Sequence, residues 1–213
     1  MEFINRRREL QALEAEYARN ESSFVVIYGR RRLGKTTLIK EFLKDKPGAV
    51  YFLADKSSEA VTINLFKDVI DRSIENQNLT GISFSAWDQL FTYFLREKRE
   101  TNKPILVMDE FQSLVGSNKA FPSILQRIWD QQLIKANIML IVCGSSVSMM
   151  LSEVLNYNSP LYGRRTGQIQ LEPLDFYSFH EFLPAITPVH LAEIYGITGG
   201  VPKYISFFSG RKS

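Results

Sequence analysis

Cysteine is nearly absent. The 213 residues hold a single one, Cys143, inside the apolar run "NIMLIVCG". No internal disulfide can form, which excludes a small disulfide-stapled scaffold and fits a reducing compartment. Histidine is almost as scarce. Neither His180 nor His190 has cysteine or acidic partners at ligand spacing, so no zinc site is indicated. Charge of neither sign dominates: 26 Lys and Arg face 23 Asp and Glu, a net of +3. That is too mild for a dedicated nucleic-acid coat. No apolar run approaches the roughly 18 residues that span a bilayer, and "MEFINRRREL" lacks the apolar stretch of a signal peptide. No membrane association and a cytoplasmic location are therefore expected. No internal repeat or low-complexity segment interrupts the chain.

What is present is an alternation. Short apolar runs, Ser23 to Tyr28, Ala49 to Ala54, Pro104 to Glu110 and Asn137 to Gly144, are separated by longer stretches with helical spacing of apolar residues. A weaker fifth run spans Gly167 to Pro173. Runs apolar on both faces, with helices between them, predict a mostly parallel five-stranded sheet covered on both sides, an α/β three-layer fold. After Pro173 the pattern breaks into short helical pieces punctuated by proline and glycine. The expected division is a core over 1–173 and the start of a helical lid over 174–213, truncated because no closing element precedes Ser213.

The first strand runs into "YGRRRLGKTTL", which meets G-x-x-x-x-G-K-[ST] with Gly29, Gly34, Lys35 and Thr36. Such a loop, between a strand and a helix, turns its backbone N–H groups on phosphate oxygens. The whole turn from Gly29 through Arg30, Arg31, Arg32, Leu33 and Gly34 to Thr37 is the candidate nucleotide cradle. Lys35 is positioned to reach the terminal phosphates and Thr36 to ligate Mg²⁺. The three arginines admit two readings, a raised local potential for phosphate or a solvated loop that neutralises nearby acids.

Asp109 and Glu110 close the third apolar run. An acid at such a strand end holds Mg²⁺ in phosphate-loop enzymes, and a neighbouring acid can activate a water. Asp109 is accordingly assigned to the metal and Glu110 to the water, which favours hydrolysis over transfer to a small molecule. "NKAF" at Asn118 lacks the acid of a guanine-reading element, so ATP is expected rather than GTP. "CGSSVSMM" puts serines after the fourth strand. Ser145 is the candidate contact to the γ-phosphate or the water, while a serine there can equally cap the next helix.

Taken in order, "FINRRREL", "YGRRRLGKTTL", "ILVMDEFQSL", "LIVCGSSVSMM", "SPLYGRRTGQIQLEPL" and "GGVPKYI" resemble the archaeal-type ATPase family within the AAA+/STAND class of P-loop NTPases, over Phe3 to about Tyr204. The resemblance implies an ASCE-type core followed by a helical lid. It implies that "FINRRREL", with Asn5 where the family has glycine, lies against adenine, making Ile4 and Arg6 candidate base contacts. It implies that Gly200 and Pro202 belong to a lid turn near the base. It also implies that Arg164 or Arg165 acts as an arginine finger, often supplied by a neighbouring subunit of a nucleotide-dependent homo-oligomer. The expected function is Mg²⁺-dependent ATP hydrolysis that moves a lid or a macromolecular partner domain. The rivals are a nucleotide-gated switch with negligible turnover, a small-molecule kinase, and a DNA-associated ATPase.

Overall fold

The structure, a computed structural model, describes residues 4–74, 83–97 and 103–208. Helix α1 (Arg7–Tyr17) precedes strand β1 (Ser23–Tyr28). Helix α2 (Lys35–Leu43), β2 (Val50–Leu53), α3 (Glu59–Ile74) and α4 (Trp87–Glu97) follow. Then come β3 (Ile105–Asp109), α5 (Phe111–Ser117), α6 (Phe121–Gln131), β4 (Met139–Gly144), the short α7 (Val147–Met150), which continues as a π-turn, and β5 (Gly167–Gln170). Helices α8 (Phe176–His180), α9 (Pro188–Thr198) and α10 (Pro202–Ile205) complete the described chain.

All neighbouring strands pair in parallel, in the order β2-β3-β4-β1-β5. The five expected strands are thus present, each within a few residues of its sequence-based bounds. The third ends at Asp109, one residue early, because Glu110 leaves the ladder with φ 56°. That left-handed residue starts α5, an element the apolar periodicity does not reveal. The helical spacing of the sequence runs from Glu59 to Asn76 and from Ser85 to Glu100, and the last residues of both stretches lie outside the described ones.

Strands β1, β3 and β4 are buried along their whole length, and alternate side chains serve opposite cores. Phe24, Val26, Leu106, Met108, Leu140 and Val142 pack under α3 to α6, where Phe66, Phe91, Phe111 and Phe121 form an aromatic layer. On the other face Val25, Ile27, Val107 and Ile141 meet Leu13 of α1 and Leu38, Ile39 and Phe42 of α2. Fully burying one such side chain contributes about 1.5–3 kcal/mol. A third, smaller core gathers Leu174, Phe179, Leu183, Leu191 and Ile205, all after Pro173. Its helices are capped locally. The carboxylate of Asp175 accepts from the Ser178 N–H, and Thr187 precedes Pro188 at the start of α9. Among the described residues, no helix is long and apolar enough to cross a membrane.

Because the sheet is parallel, the carboxyl ends of all strands share one edge. The loops after β1, β3 and β4, which are spatial neighbours, therefore converge there. This is the rule that places ligands at the carboxyl edge of open α/β sheets.

Candidate functional site

The loop leaving β1 doubles back on itself. Gly29 adopts φ 150°, and a Cβ there would stand 2.3 Å from the Leu171 carbonyl oxygen. Only glycine lets the loop pass this close to the chain leaving β5. Leu33 is buried and anchors the turn, while Arg30, Arg31 and Arg32 are exposed around it. Gly34, at φ 90°, opens α2, so the free N–H groups of that helix's first turn face the loop. Lys35 is only 6% exposed, and its ammonium donates to the carbonyls of Gly29 (2.7 Å) and Arg30 (3.0 Å). Burial pushes its pKa down, and the nearby Cys143, Glu110 and Asp109 oppose that shift.

Beside the loop, Asp109 is 1% exposed at the tip of β3. Its Oδ2 accepts from the Thr36 hydroxyl (2.9 Å) and the Tyr51 hydroxyl (2.5 Å), and its Oδ1 from the Glu110 N–H (2.8 Å). Burial, reinforced by Asp109, pushes the Tyr51 phenol up, so it acts as a donor. Thr36 and Asp109 offer the hard oxygen ligands that Mg²⁺ prefers. Glu110 is half-buried, and its Oε2 accepts from the Gln112 side-chain amide and from the Ser145 hydroxyl (3.0 Å). Ser145 engages Glu110 and Gln112 and does not cap α7. Ser146 holds the cap position by backbone alone. Cys143, mid-core beside Asp109, has its thiol pushed well up by burial.

A cleft of about 570 Å³ opens over these groups. Arg31, Arg32, Gly34, Lys35, Thr36, Thr37, Glu110 and Ser145 line it from the core, Pro202 and Lys203 from the final helix. The two sides touch: the Arg32 guanidinium donates to the Tyr204 hydroxyl (2.8 Å) and lies 5.2 Å from its ring centroid. Gly200 shapes the turn that leads into the final helix and packs it on Leu174. Its φ is 72°, a Cβ there would come within 2.2 Å of the Leu174 oxygen, and its own carbonyl accepts from the Leu174 N–H (2.8 Å).

A chain matching this arrangement has known relatives. A family profile described as an ATPase domain predominantly from archaea covers residues 3–208. The chain belongs to this ATPase family. It is 36% identical over 203 residues to an uncharacterised protein of Methanocaldococcus jannaschii, a match that takes in 95% of this chain and 43% of the relative. The chain thus spans less than half the length of that relative. It is 50% identical over 44 residues to an ATP-binding protein of the same organism, likewise uncharacterised, a match that takes in 21% of this chain and 75% of the relative. Among solved structures, the Walker-type ATPase of Pyrococcus abyssi aligns with a TM-score of 0.77 at 20% identity, over 97% of this chain and 67% of that one. The ORC2 protein of Aeropyrum pernix aligns with a TM-score of 0.69 at 19% identity, over 97% and 62%. These likenesses establish the α/β P-loop fold.

The structure brings most of the sequence-predicted residues to the carboxyl edge; Ile4 and Arg6 stand there too but apart from the phosphate cleft, and Arg164 and Arg165 lie at the opposite edge. Arg6 is turned toward Glu9 (2.9 Å) and the Glu172 carbonyl, and it lines a separate cleft of about 550 Å³ with Asn5 and Asp175. Ile4 is half-buried next to it. Asn5 adopts φ 64°, the left-handed conformation that glycine would supply and asparagine tolerates. Arg164 and Arg165 precede β5 and so sit at the amino edge, across the sheet from the phosphate loop. Arg164 forks onto Asp130 (2.8 and 2.7 Å), and Arg165 lies 5.7 Å from the Tyr162 ring centroid. Neither reaches the cleft of its own chain.

Sequence reasoning missed Tyr51, Gln112, Lys203 and Tyr204. Tyr51 joins through a cross-strand diagonal, since Leu53 is the register partner of Asp109, and sequence order does not announce that pairing. Gln112 carried a readable signal: it stands two residues after Glu110, in the first turn of the helix that Glu110 starts.

Proposed function

We propose that this chain is a Mg²⁺-dependent ATP-hydrolysing module whose nucleotide state shifts the segment after Pro173 against the core. The carrying observation is the convergence on one cleft of Lys35, Thr36, Glu110 and Ser145, with Asp109 buried against Thr36, from three neighbouring strand ends. A site of hard oxygen ligands beside a glycine-bounded loop, with a helix N-terminus behind it, fits a metal–triphosphate substrate.

In this reading the loop amides and Lys35 bind the phosphates. The ammonium's bonds to two carbonyls of its own loop hold it in the cradle where phosphate oxygens would replace them. Thr36 and Asp109 hold Mg²⁺, which when bound neutralises charge on the β- and γ-phosphates. Tyr51 orients Asp109 for that role. Glu110 accepts a proton from the water that attacks the γ-phosphorus as the bond to the β-γ bridging oxygen breaks. Ser145 contacts the γ-phosphate end of the site. The Arg32–Tyr204 contact and the cleft wall formed by Pro202 and Lys203 give the occupant a direct grip on the lid. The relevant output is then movement, passed to further domains or to a macromolecular partner. The ORC2 relative was solved with bound ADPNP and ADP, and a Drosophila ORC of the same fold (TM-score 0.63, 12% identity) was solved on DNA. Nucleic acid and a second copy of the chain are accordingly the partners to test first.

The decisive experiment pairs ATP affinity with turnover in Mg²⁺ for the wild type and Glu110→Gln. Retained affinity with turnover lowered about 10²–10⁴-fold in the variant supports hydrolysis through Glu110. Equal, negligible turnover in both with tight binding would make the module a nucleotide-gated switch.

A further inference from the structure

Gln112 takes part in a closed set of hydrogen bonds at the mouth of the cleft. Its Nε2 donates to Glu110 Oε2 and to Ser145 Oγ (2.9 Å), and its Oε1 accepts the Ser145 backbone N–H (3.2 Å). Ser145 Oγ in turn donates to Glu110 Oε2 (3.0 Å). The directions are self-consistent. The amide has two protons for two acceptors, the hydroxyl has one proton for the carboxylate, and the amide oxygen takes the remaining N–H. Flipping the amide would set its oxygen against the carboxylate and its NH₂ against a donor, so one orientation is over-determined. Room for that oxygen depends on Gly144, where a Cβ would stand 3.0 Å away. Both bonds to Glu110 fall on Oε2, and among the described residues none engages Oε1.

We infer that Gln112 is a positioning residue for ATP hydrolysis, bracing the Glu110 carboxylate against Ser145 so that one oxygen is anchored and the other is free for water. The inference rests on the proposed role of Glu110. The physical reason is geometric. A glutamate side chain has three rotatable bonds, and proton abstraction needs an oxygen within about 2.6–3.2 Å of the water. The left-handed turn at Glu110 sets the backbone, but only side-chain partners set the carboxylate. An amide is the group that can donate to the carboxylate while accepting from the next strand's N–H. The brace also joins β3 to β4, so a phosphate that engages the Ser145 hydroxyl withdraws one of the two anchors from Glu110.

The test compares the wild type with Gln112→Met, Gln112→Glu and Glu110→Gln, measuring ATP affinity, KM, kcat and melting temperature in Mg²⁺. For Gln112→Met we expect kcat to fall about 10- to 100-fold, with KM and affinity within about threefold of wild type, since a small misplacement costs rate and not binding. Gln112→Glu keeps the oxygen that meets Ser145 but loses the donor to Glu110. Its kcat should fall at least as far as that of Gln112→Met, with KM again within about threefold of wild type. A merely structural role would lower the melting temperature without this split between kcat and KM, and Gln112→Glu decides the matter if Gln112→Met proves unstable. If Glu110→Gln is slow while the Gln112 variants match or exceed wild type, or change only KM, the positioning role is overturned and the hydrolytic reading stands. If the wild type turns over no faster than Glu110→Gln, the hydrolytic reading falls and the brace falls with it.

Discussion

The two edges of the sheet use the same residue types to different ends. At the amino edge, the Lys103 ammonium donates to the carbonyls of Glu16 (3.1 Å), Arg19 (3.2 Å) and Glu21 (2.8 Å) and to the Ser23 hydroxyl (2.8 Å). It closes the carboxyl end of α1 and ties it to β1. Arg164 is likewise consumed by its fork onto Asp130. At the carboxyl edge, Lys35 meets only two carbonyls of its own loop, and Asp109 and Glu110 meet hydroxyls and amides rather than a cation. No ion pair joins Lys35 to either acid among the described residues. Charges at the first edge are spent on the fold, and charges at the second are gathered without neutralising one another. A buried set of that kind is costly to keep and is the pattern of a functional site.

Three substitutions would break or sharpen this contrast. The largest effect is expected from Lys35→Ala, which removes the only cation buried in the phosphate loop. ATP affinity should fall on the order of 100-fold or more, read by equilibrium binding, while the melting temperature holds. A variant that binds ATP normally would remove Lys35 from the nucleotide site. Next is Lys103→Met at the opposite edge. Leaving its carbonyl partners short of a donor should cost about 1–3 kcal/mol, seen as a melting temperature lower by several degrees, with ATP affinity unchanged. A loss of nucleotide binding there would mean that the two edges are coupled through α1 and β1. The smallest effect belongs to Arg164→Ala. Its pair with Asp130 is partly exposed, and about 1 kcal/mol or less of stability is expected to be lost in chemical denaturation. If its effect on turnover instead grows with protein concentration, Arg164 serves a neighbouring copy's site.

Much of the fold was legible because two periodicities coexist in the chain. Strands buried on both faces read as continuous apolar runs, and all five were visible. The phosphate loop was legible because Gly29, Gly34, Lys35 and Thr36 act within one turn, at fixed spacing. Helix α5 was not, since it depends on a left-handed Glu110 that neither propensity nor pattern announces. Tyr51 and Gln112 escaped notice for related reasons. Tyr51 bonds across to the neighbouring strand, and Gln112 matters through a serine 33 residues away in sequence. Arg32 was readable as a loop arginine, but its meeting with Tyr204 spans 172 residues.

The amino-acid sequence by itself determined the local chemistry: a glycine-bounded turn that exposes amides, an acid pair at a strand end, and apolar runs that had to be buried on both faces. These follow from steric and hydrophobic rules acting over a few residues. Only the tertiary structure decided which strand lies beside which. By seating β1 between β4 and β5 and β3 against β4, it brought Lys35, Asp109, Glu110 and Ser145 to one edge and sent Arg164 and Lys103 to the other. The reason is physical: strand order is set by how the helices cover both faces of the sheet. The partners of a side chain across that order are fixed by packing, which no local pattern encodes.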